Sequence, residues 1–183
     1  MADNVGMAKP VIRTIGHSTR PVEALIEMLK AHGVKRVLDV RTIPKSRYNP
    51  QYNSEALERS LCEAGIGYEH MKALGGLRHP RKDSPNTGWR NESFRGYADY
   101  METQDFRKGI ERLLEVARNN RVAIMCSEAV WWRCHRSMIS DYLKVQGIEV
   151  VHIMGEGKSE LHPFTSAAQV VNGELSYRGV LTK

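Results

Sequence analysis

The chain reads as a single-domain α/β protein with a mostly parallel sheet of about five strands and helices on both faces. Three observations predict this. Short apolar runs alternate with segments of helical period along most of the chain, the pattern of strand–helix–strand crossovers. The apolar runs are strand-sized, and glycine or proline punctuates the segments between them. The length of 183 residues matches one domain of roughly 100–200 residues and is enough to bury a core without staples. No repeat, low-complexity stretch or linker divides the chain, so residues 1–183 are read as one domain.

The first nine residues, Met1 to Lys9, read as a frayed terminus. Val11–Ile15 is the first strand and gives way to Gly16-His17-Ser18-Thr19-Arg20. Pro21 suits a first helical position, where its missing N–H costs nothing, and Leu25, Ile26, Met28, Leu29 and His32 carry the helical period up to Gly33. Arg36–Val40 is the second strand, followed by a proline-punctuated loop from Arg41 to Pro50. Asn53 or Ser54 caps a helix with Leu57, Leu61 and Ala64 inside and Gly65 beyond it. Ile66–His70 is a short third strand. Residues 74–90 lack periodicity and form a long basic loop. Phe94, Tyr97, Ala98 and Met101 lie at helical spacing, and a longer helix runs from Asp105 to Arg118. Val122–Met125 is the central apolar strand, a helix runs through Ile139 and Leu143 to Gly147, and Glu149–Ile153 is the last strand. Residues 154–183 read as a C-terminal extension, with helical turns over Thr165–Val171 and an extended end from Glu174 to Leu181. The expected strand order is 3-2-1-4-5, which sets the ends of strands one, two and four along one rim.

Composition narrows the function classes. A net charge of +6 and a pI near 9.3 suit a polyanionic partner. Three cysteines are an odd count, against a disulfide framework and consistent with thiols in a reducing compartment. The N-terminal Met1-Ala2-Asp3-Asn4 lacks a basic region followed by an apolar one, and no apolar run approaches the ~20 residues of a membrane span. The expectation is a cytoplasmic protein without a membrane partner.

Chemistry concentrates in Met125-Cys126-Ser127-Glu128-Ala129-Val130-Trp131-Trp132-Arg133-Cys134-His135-Arg136, between the central strand and its following helix. The carboxyl ends of parallel strands and the amino ends of the next helices are where anions settle. With the expected strand order, this stretch, Gly16-His17-Ser18 and Asp39-Arg41 with Ser46-Arg47 converge on one crevice. Arg41, Arg47, Arg133 and Arg136, with Ser18 and Ser46, are the candidate anion ligands, because crowded guanidinium groups repel unless an anion joins them and their planar forks suit phosphate. Of Trp131 and Trp132, one is expected to stack on a base and the other to pack. His17, Asp39, Cys126, Glu128 and His135 are the candidate catalytic residues. His17 and His135 suit proton transfer near neutrality, and Glu128 among arginines suits a base or an anchor. Asp39 reads equally as the partner of Arg41. Cys126 is either a nucleophile favoured by the helix terminus and arginines or a small buried hydrophobe. The spacing is not that of a Cys-x5-Arg phosphatase loop, since six residues separate Cys126 from Arg133. The gap between Cys126 and Cys134 also exceeds a compact zinc knuckle, so neither metal nor cofactor is expected. No Gly-x4-Gly-Lys or Gly-x-Gly-x-x-Gly loop is present.

Several motifs in one order carry a family resemblance. They are Ile15-Gly16-His17-Ser18, Asp39-Val40-Arg41 with Pro44, Ser46-Arg47-Tyr48-Asn49-Pro50, Leu74-Gly75-Gly76-Leu77-Arg78, Phe94-Arg95-Gly96-Tyr97-Ala98, and Met125-Cys126-x-Glu128 with Trp132-x-Cys134-His135-Arg136. Together, from about Ile12 to Ile153, the chain resembles the family catalogued as domain of unknown function 488. The resemblance implies a compact α/β fold and a catalytic pocket with no assigned reaction.

Two functions follow as expectations. The first is an enzyme acting on a phosphate-bearing substrate such as a nucleotide or nucleic acid. The second is a non-catalytic nucleotide or nucleic-acid binding module using the same arginines. A redox-active thiol protein is a third possibility, and it requires Cys126 and Cys134 to lie within bonding reach.

Overall fold

The computed structural model describes residues 8–179. Its elements in chain order are β1 (Ile12–Gly16), α1 (Val22–Ala31), β2 (Arg36–Asp39), α2 (Ser54–Glu63), β3 (Gly67–His70), α3 (Glu92–Met101), α4 (Gln104–Asn119), β4 (Val122–Cys126), α5 (Arg136–Val145), β5 (Val150–Gly155), β6 (Lys158–Leu161), β7 (Gln169–Val171) and β8 (Glu174–Ser176). The first six strands form one sheet, and β7 pairs with β8 in a separate antiparallel hairpin. Most of the frayed terminus lies outside the described residues, as does Leu181, where the extended end was expected to finish. Lys9 is described, and its Nζ donates to the Gln146 carbonyl.

The sheet order is β3-β2-β4-β1-β5-β6, not 3-2-1-4-5. β4 pairs in parallel with both β1 and β2, so it takes the position expected of β1. The cause is composition. A central parallel strand is covered on both faces and reads as an unbroken apolar run. Val122–Cys126 is such a run and is buried throughout, whereas β1 carries Arg13 and Thr14. A sixth strand is also present. β6 returns antiparallel to β5 and is exposed along its length, and its Lys-Ser-Glu-Leu sequence carries the charge that protects an open edge. Thr165–Val171 is not helical: it is a turn leading into β7, which β8 pairs.

Strand alternation splits the core into two layers. Ile15, Val37, Ala123 and Met125 pack with Leu25 and Leu29 of α1 and Leu57 and Leu61 of α2. Leu38, Val40, Ile124 and Cys126 pack with Phe106 and Leu113 of α4 and Ile139 and Leu143 of α5. Neighbouring residues of one strand therefore serve opposite faces. The basic loop before α3 is held down: Asp99 accepts from the Arg81 N–H at 2.7 Å, Ser84 Oγ at 2.6 Å and Asn86 Nδ2 at 2.7 Å. No helix among the described residues is long and apolar enough to cross a membrane.

Candidate functional site

A cleft of about 430 Å³ opens at the C-terminal rim of the sheet and is lined by residues that follow β1, β2 and β4. His17, Ser18 and Thr19 come from the first turn, Arg41, Ile43, Lys45, Ser46 and Asn49 from the second loop, and Ser127, Glu128 and Ala129 from the third. Adjacent placement of β2, β4 and β1 brings these loops together. The first and third are pressed backbone to backbone: His17 N–H donates to the Cys126 carbonyl and Ser18 N–H to the Ser127 carbonyl, both at 2.9 Å. Gly16 makes this contact possible, since a Cβ there would fall 1.7 Å from the Glu128 carbonyl oxygen.

Asp39 and Arg41, two apart around the end of β2, share one face. The Asp39 carboxylate is fully buried and receives Arg41 Nε at 2.9 Å on Oδ1, Arg41 Nη2 at 2.6 Å and Tyr68 Oη at 2.7 Å on Oδ2, and the Arg41 backbone N–H on Oδ1. Its acceptor positions are occupied, and it does not line the cleft. Of its two sequence readings, the partner of Arg41 is the one the geometry realises. The bidentate pair fixes the plane of the guanidinium and turns Nη1 toward His17 Nε2 at 3.3 Å.

His17 is buried and stacks on Tyr52, with ring centroids 3.9 Å apart. Its Nδ1 lies 2.7 Å from the Ser18 carbonyl, which places the ring proton on Nδ1 and leaves the Nε2 lone pair facing Arg41. Burial, which outweighs the pull of that carbonyl, lowers its pKa to about 4, and the Arg41 charge adds to the fall. The ring is therefore neutral at neutral pH. Ser18 takes a positive φ of 52°, a conformation that costs a non-glycine residue energy and recurs at functional turns. Tyr52, whose Oη donates to the Arg20 carbonyl at 2.8 Å, has its pKa raised to about 12 by burial.

His17, Ser18, Arg41, Ser46 and Glu128 thus meet in one cleft, while the remaining candidates lie elsewhere. Cys126 is turned to the opposite face of the sheet and is buried with Cys134. His135 packs on that face as well: its Nε2 donates to the Val40 carbonyl at 3.0 Å, its ring meets Tyr97 edge-on, and burial lowers its pKa to about 4. A Cβ at Gly76 would lie 2.4 Å from His135 Nδ1, so the second glycine of Leu74-Gly75-Gly76 makes room for this imidazole. Arg136 is buried, and its Nη2 braces the third loop from behind through the carbonyls of Glu128 at 2.9 Å and Ala129 at 3.2 Å.

Arg47 and Arg133 are exposed and outside the lining. Trp131 does pack, as one of the two tryptophans was expected to. It stacks on His152 at 4.5 Å and donates its indole N–H to Glu160, while Trp132 is half exposed. The single-crevice expectation fails for these residues because alternation distributes them over two faces. Lys45, Asn49, Thr19 and Ser127 line the cleft unannounced. The basic, asparagine-bearing loop was the one signal for the first two. Tyr52 and Tyr68 support the cleft through contacts that no local pattern encodes. Among the described residues, no group of three or more His, Cys, Asp or Glu side chains could hold a metal ion.

Fold and cleft together define a single-domain α/β protein whose mostly parallel sheet carries a basic, imidazole-bearing cleft at its C-terminal rim. The chain belongs to the family described as Domain of unknown function DUF488, which matches residues 21–143. That match begins after the His17 turn and ends within α5, a narrower span than Ile12 to Ile153. No curated protein and no solved structure matches the chain.

Proposed function

We propose that the cleft binds a phosphate-bearing substrate, a nucleotide or a nucleic acid, and that the chain is a cytoplasmic enzyme in which His17 accepts a proton. The observation that carries this reading is the fixed pair of Arg41 and His17. Arg41 spends Nε–H, one Nη2–H and one Nη1–H on Asp39 and His17. It keeps one hydrogen on each terminal nitrogen for an anion at the cleft. Lys45 adds a second cation, and Ser18, Ser46 and Asn49 add neutral polar groups. An anion seated on the two free hydrogens draws Nη1 away from His17 Nε2 across a contact already 3.3 Å long, freeing that lone pair to take a proton from a hydroxyl or water. The negative charge of the ligand also favours the imidazolium that results. Glu128 at the opposite wall serves as an electrostatic anchor or second base.

The second reading is a binding module without turnover. It is favoured by the occupation of His17 Nε2 by Arg41 and by the exposure of Glu128.

Calorimetric titration with inorganic phosphate, adenosine monophosphate and a short single-stranded oligonucleotide tests both. Arg41→Lys removes the fork and is expected to weaken phosphate binding about tenfold, the scale of one charge-assisted hydrogen bond. His17→Gln is expected to keep affinity within a few-fold and to abolish release of product from the oligonucleotide or nucleotide. Unchanged phosphate affinity in Arg41→Lys would overturn the site. Loss of affinity without any turnover to lose in the parent chain would select the binding module.

A further inference from the structure

Around the cleft, the C-terminal rim of the sheet presents side chains that a lone phosphate would not use. Of the eight large apolar side chains exposed among the described residues, Ile43, Tyr48, Leu77 and Trp132 lie on loops that follow β2, β3 and β4. The β2 and β3 loops touch, since Leu77 N–H donates to Thr42 Oγ1 at 3.0 Å. Both are free of acid: no Asp or Glu occurs from Arg41 to Asn53 or from Met71 to Lys82. Lys45, Arg47, Lys72 and Lys82 on these loops, and Arg133 beyond the third, are exposed and pair with no carboxylate among the described residues.

Two of the exposed apolar groups are aromatic, border the cleft and sit next to an arginine. Tyr48 lies between Ser46 and Asn49, which line the cleft, and Trp132 follows shortly after Ala129, which also lines it. Neither ring is on a loose segment. Ser46 Oγ accepts the Asn49 N–H at 2.9 Å and Ser46 N–H donates to Asn53 Oδ1 at 2.7 Å. These bonds close a turn with Arg47 and Tyr48 at its tip, where Tyr48 is 90% exposed. Trp132 is 50% exposed and rests edge-on against Trp131, which is itself stacked on His152 of β5. A flat apolar face held rigid in water loses little freedom on binding and gains from being covered. Rings beside cations are the means by which proteins hold unpaired bases, stacking on the base and neutralising the backbone next to it.

A mononucleotide cannot use all of these groups. With its phosphate on Arg41 it leaves Arg47 and Arg133, both outside the lining, without an anion. A run of carboxylates would answer the charge but gives Tyr48 and Trp132 nothing to stack on. A duplex keeps its bases stacked on one another, out of reach of both rings. A single strand supplies repeated phosphates and open bases together. We infer that the rim binds single-stranded nucleic acid: Tyr48 and Trp132 stack on bases flanking the nucleotide whose phosphate sits on Arg41, and Arg47 and Arg133 take neighbouring phosphates. This rests on the reading of the cleft as a phosphate site and narrows its ligand to a strand.

The test is fluorescence anisotropy of a short labelled oligothymidylate or oligouridylate with the full-length chain, beside calorimetry with inorganic phosphate. The parent chain is expected to bind the strand more tightly than phosphate, and less tightly as salt rises. Tyr48→Ala and Trp132→Ala are each expected to weaken the strand about tenfold and to leave phosphate affinity as it was. Arg47→Ala should weaken the strand and reduce the salt slope by about one. Tyr48 and Arg47 are exposed, so these substitutions do not threaten the fold. Parent-like strand affinity in both aromatic variants, while phosphate still depends on Arg41, overturns the inference and keeps the cleft. Strand binding that needs Tyr48 and Trp132 while Arg41→Lys changes nothing supports the rim and overturns the cleft. No strand binding by the parent chain, equal affinity for the duplex, or equal competition by polyglutamate also overturns the inference.

Discussion

Asp39 and Arg41 flank Val40, and the side-chain period of two sends Val40 to the α4–α5 layer while the acid and the base share the other. The same rule separates Met125, which faces α1 and α2, from Cys126, which does not. Both consequences were legible in the sequence once the strands were placed, because parity along a strand decides the face. Grouping every polar residue near the strand ends into a single crevice overlooked that parity. The support given to Asp39 by Tyr68 and to His17 by Tyr52 was not legible, since each bond or stack joins segments that only the tertiary fold brings together. Asp39→Asn tests the pairing. It leaves the buried Arg41 charge without its carboxylate and is expected to cost about 3 kcal/mol, the scale for breaking a buried pair. Urea unfolding read by tryptophan fluorescence measures it, and a loss below ~1 kcal/mol would mean that water or another acceptor replaces the carboxylate.

At the level of elements, the strand and helix assignments follow from periodicity, and α1 and α2 stop just before Gly33 and Gly65 as the sequence predicts. Strand order was readable only in part. The apolar continuity of Val122–Cys126 marks β4 as the central strand, yet nothing in the local sequence says which neighbours it pairs. β6 and β7 escaped because they are short and largely exposed, so they bury too little apolar surface to imprint a pattern, whereas β8 lies inside the extended end read from Glu174. The join between the β1 turn and the loop after β4 is where these elements meet most tightly. Gly16→Ala would drive a methyl group into the Glu128 backbone, a neighbour that cannot rotate away. Separation of the two loops is expected, with a loss of about 3 kcal/mol or more from overpacking and a parallel loss of phosphate binding. Gly65→Ala is the control: a Cβ there has open space around it, so it should strain only its own backbone and leave phosphate affinity intact. Parent-like phosphate affinity in Gly16→Ala would show that the loops do not depend on this contact.

Across the whole molecule, three imidazoles are held neutral: His17 and His135 with pKa values near 4, and His152 near 2, each lowered chiefly by desolvation. His152 belongs to a buried chain in which Thr14 Oγ1 lies 2.6 Å from its Nδ1, its Nε2 lies 2.8 Å from His162 Nδ1, and His162 Nε2 lies 2.8 Å from Asp141 Oδ1. One consistent direction of donation runs along it from Thr14 to the carboxylate, and a second proton on His152 would break that direction. In the unfolded chain each imidazole titrates near 6.5. As pH falls below that value the unfolded state gains protons that the folded state refuses, so stability present at neutral pH is lost as pH drops toward the folded pKa values. For a single such group the loss at about pH 5.5 is about 1 kcal/mol, and for three it is about 3–4 kcal/mol. The lowered carboxylates, Glu69 and Asp99, add their own loss only below their ordinary range near 4, so a decline between about pH 7.5 and 5.5 belongs to histidine. Urea midpoints across that interval should fall steadily in the parent chain and less steeply in His152→Gln, where one of the three groups no longer titrates. Equal midpoints at both ends of the interval would mean that these rings gain protons in the fold as readily as in water, and the neutral His17 on which proton acceptance at the cleft depends would be lost with them.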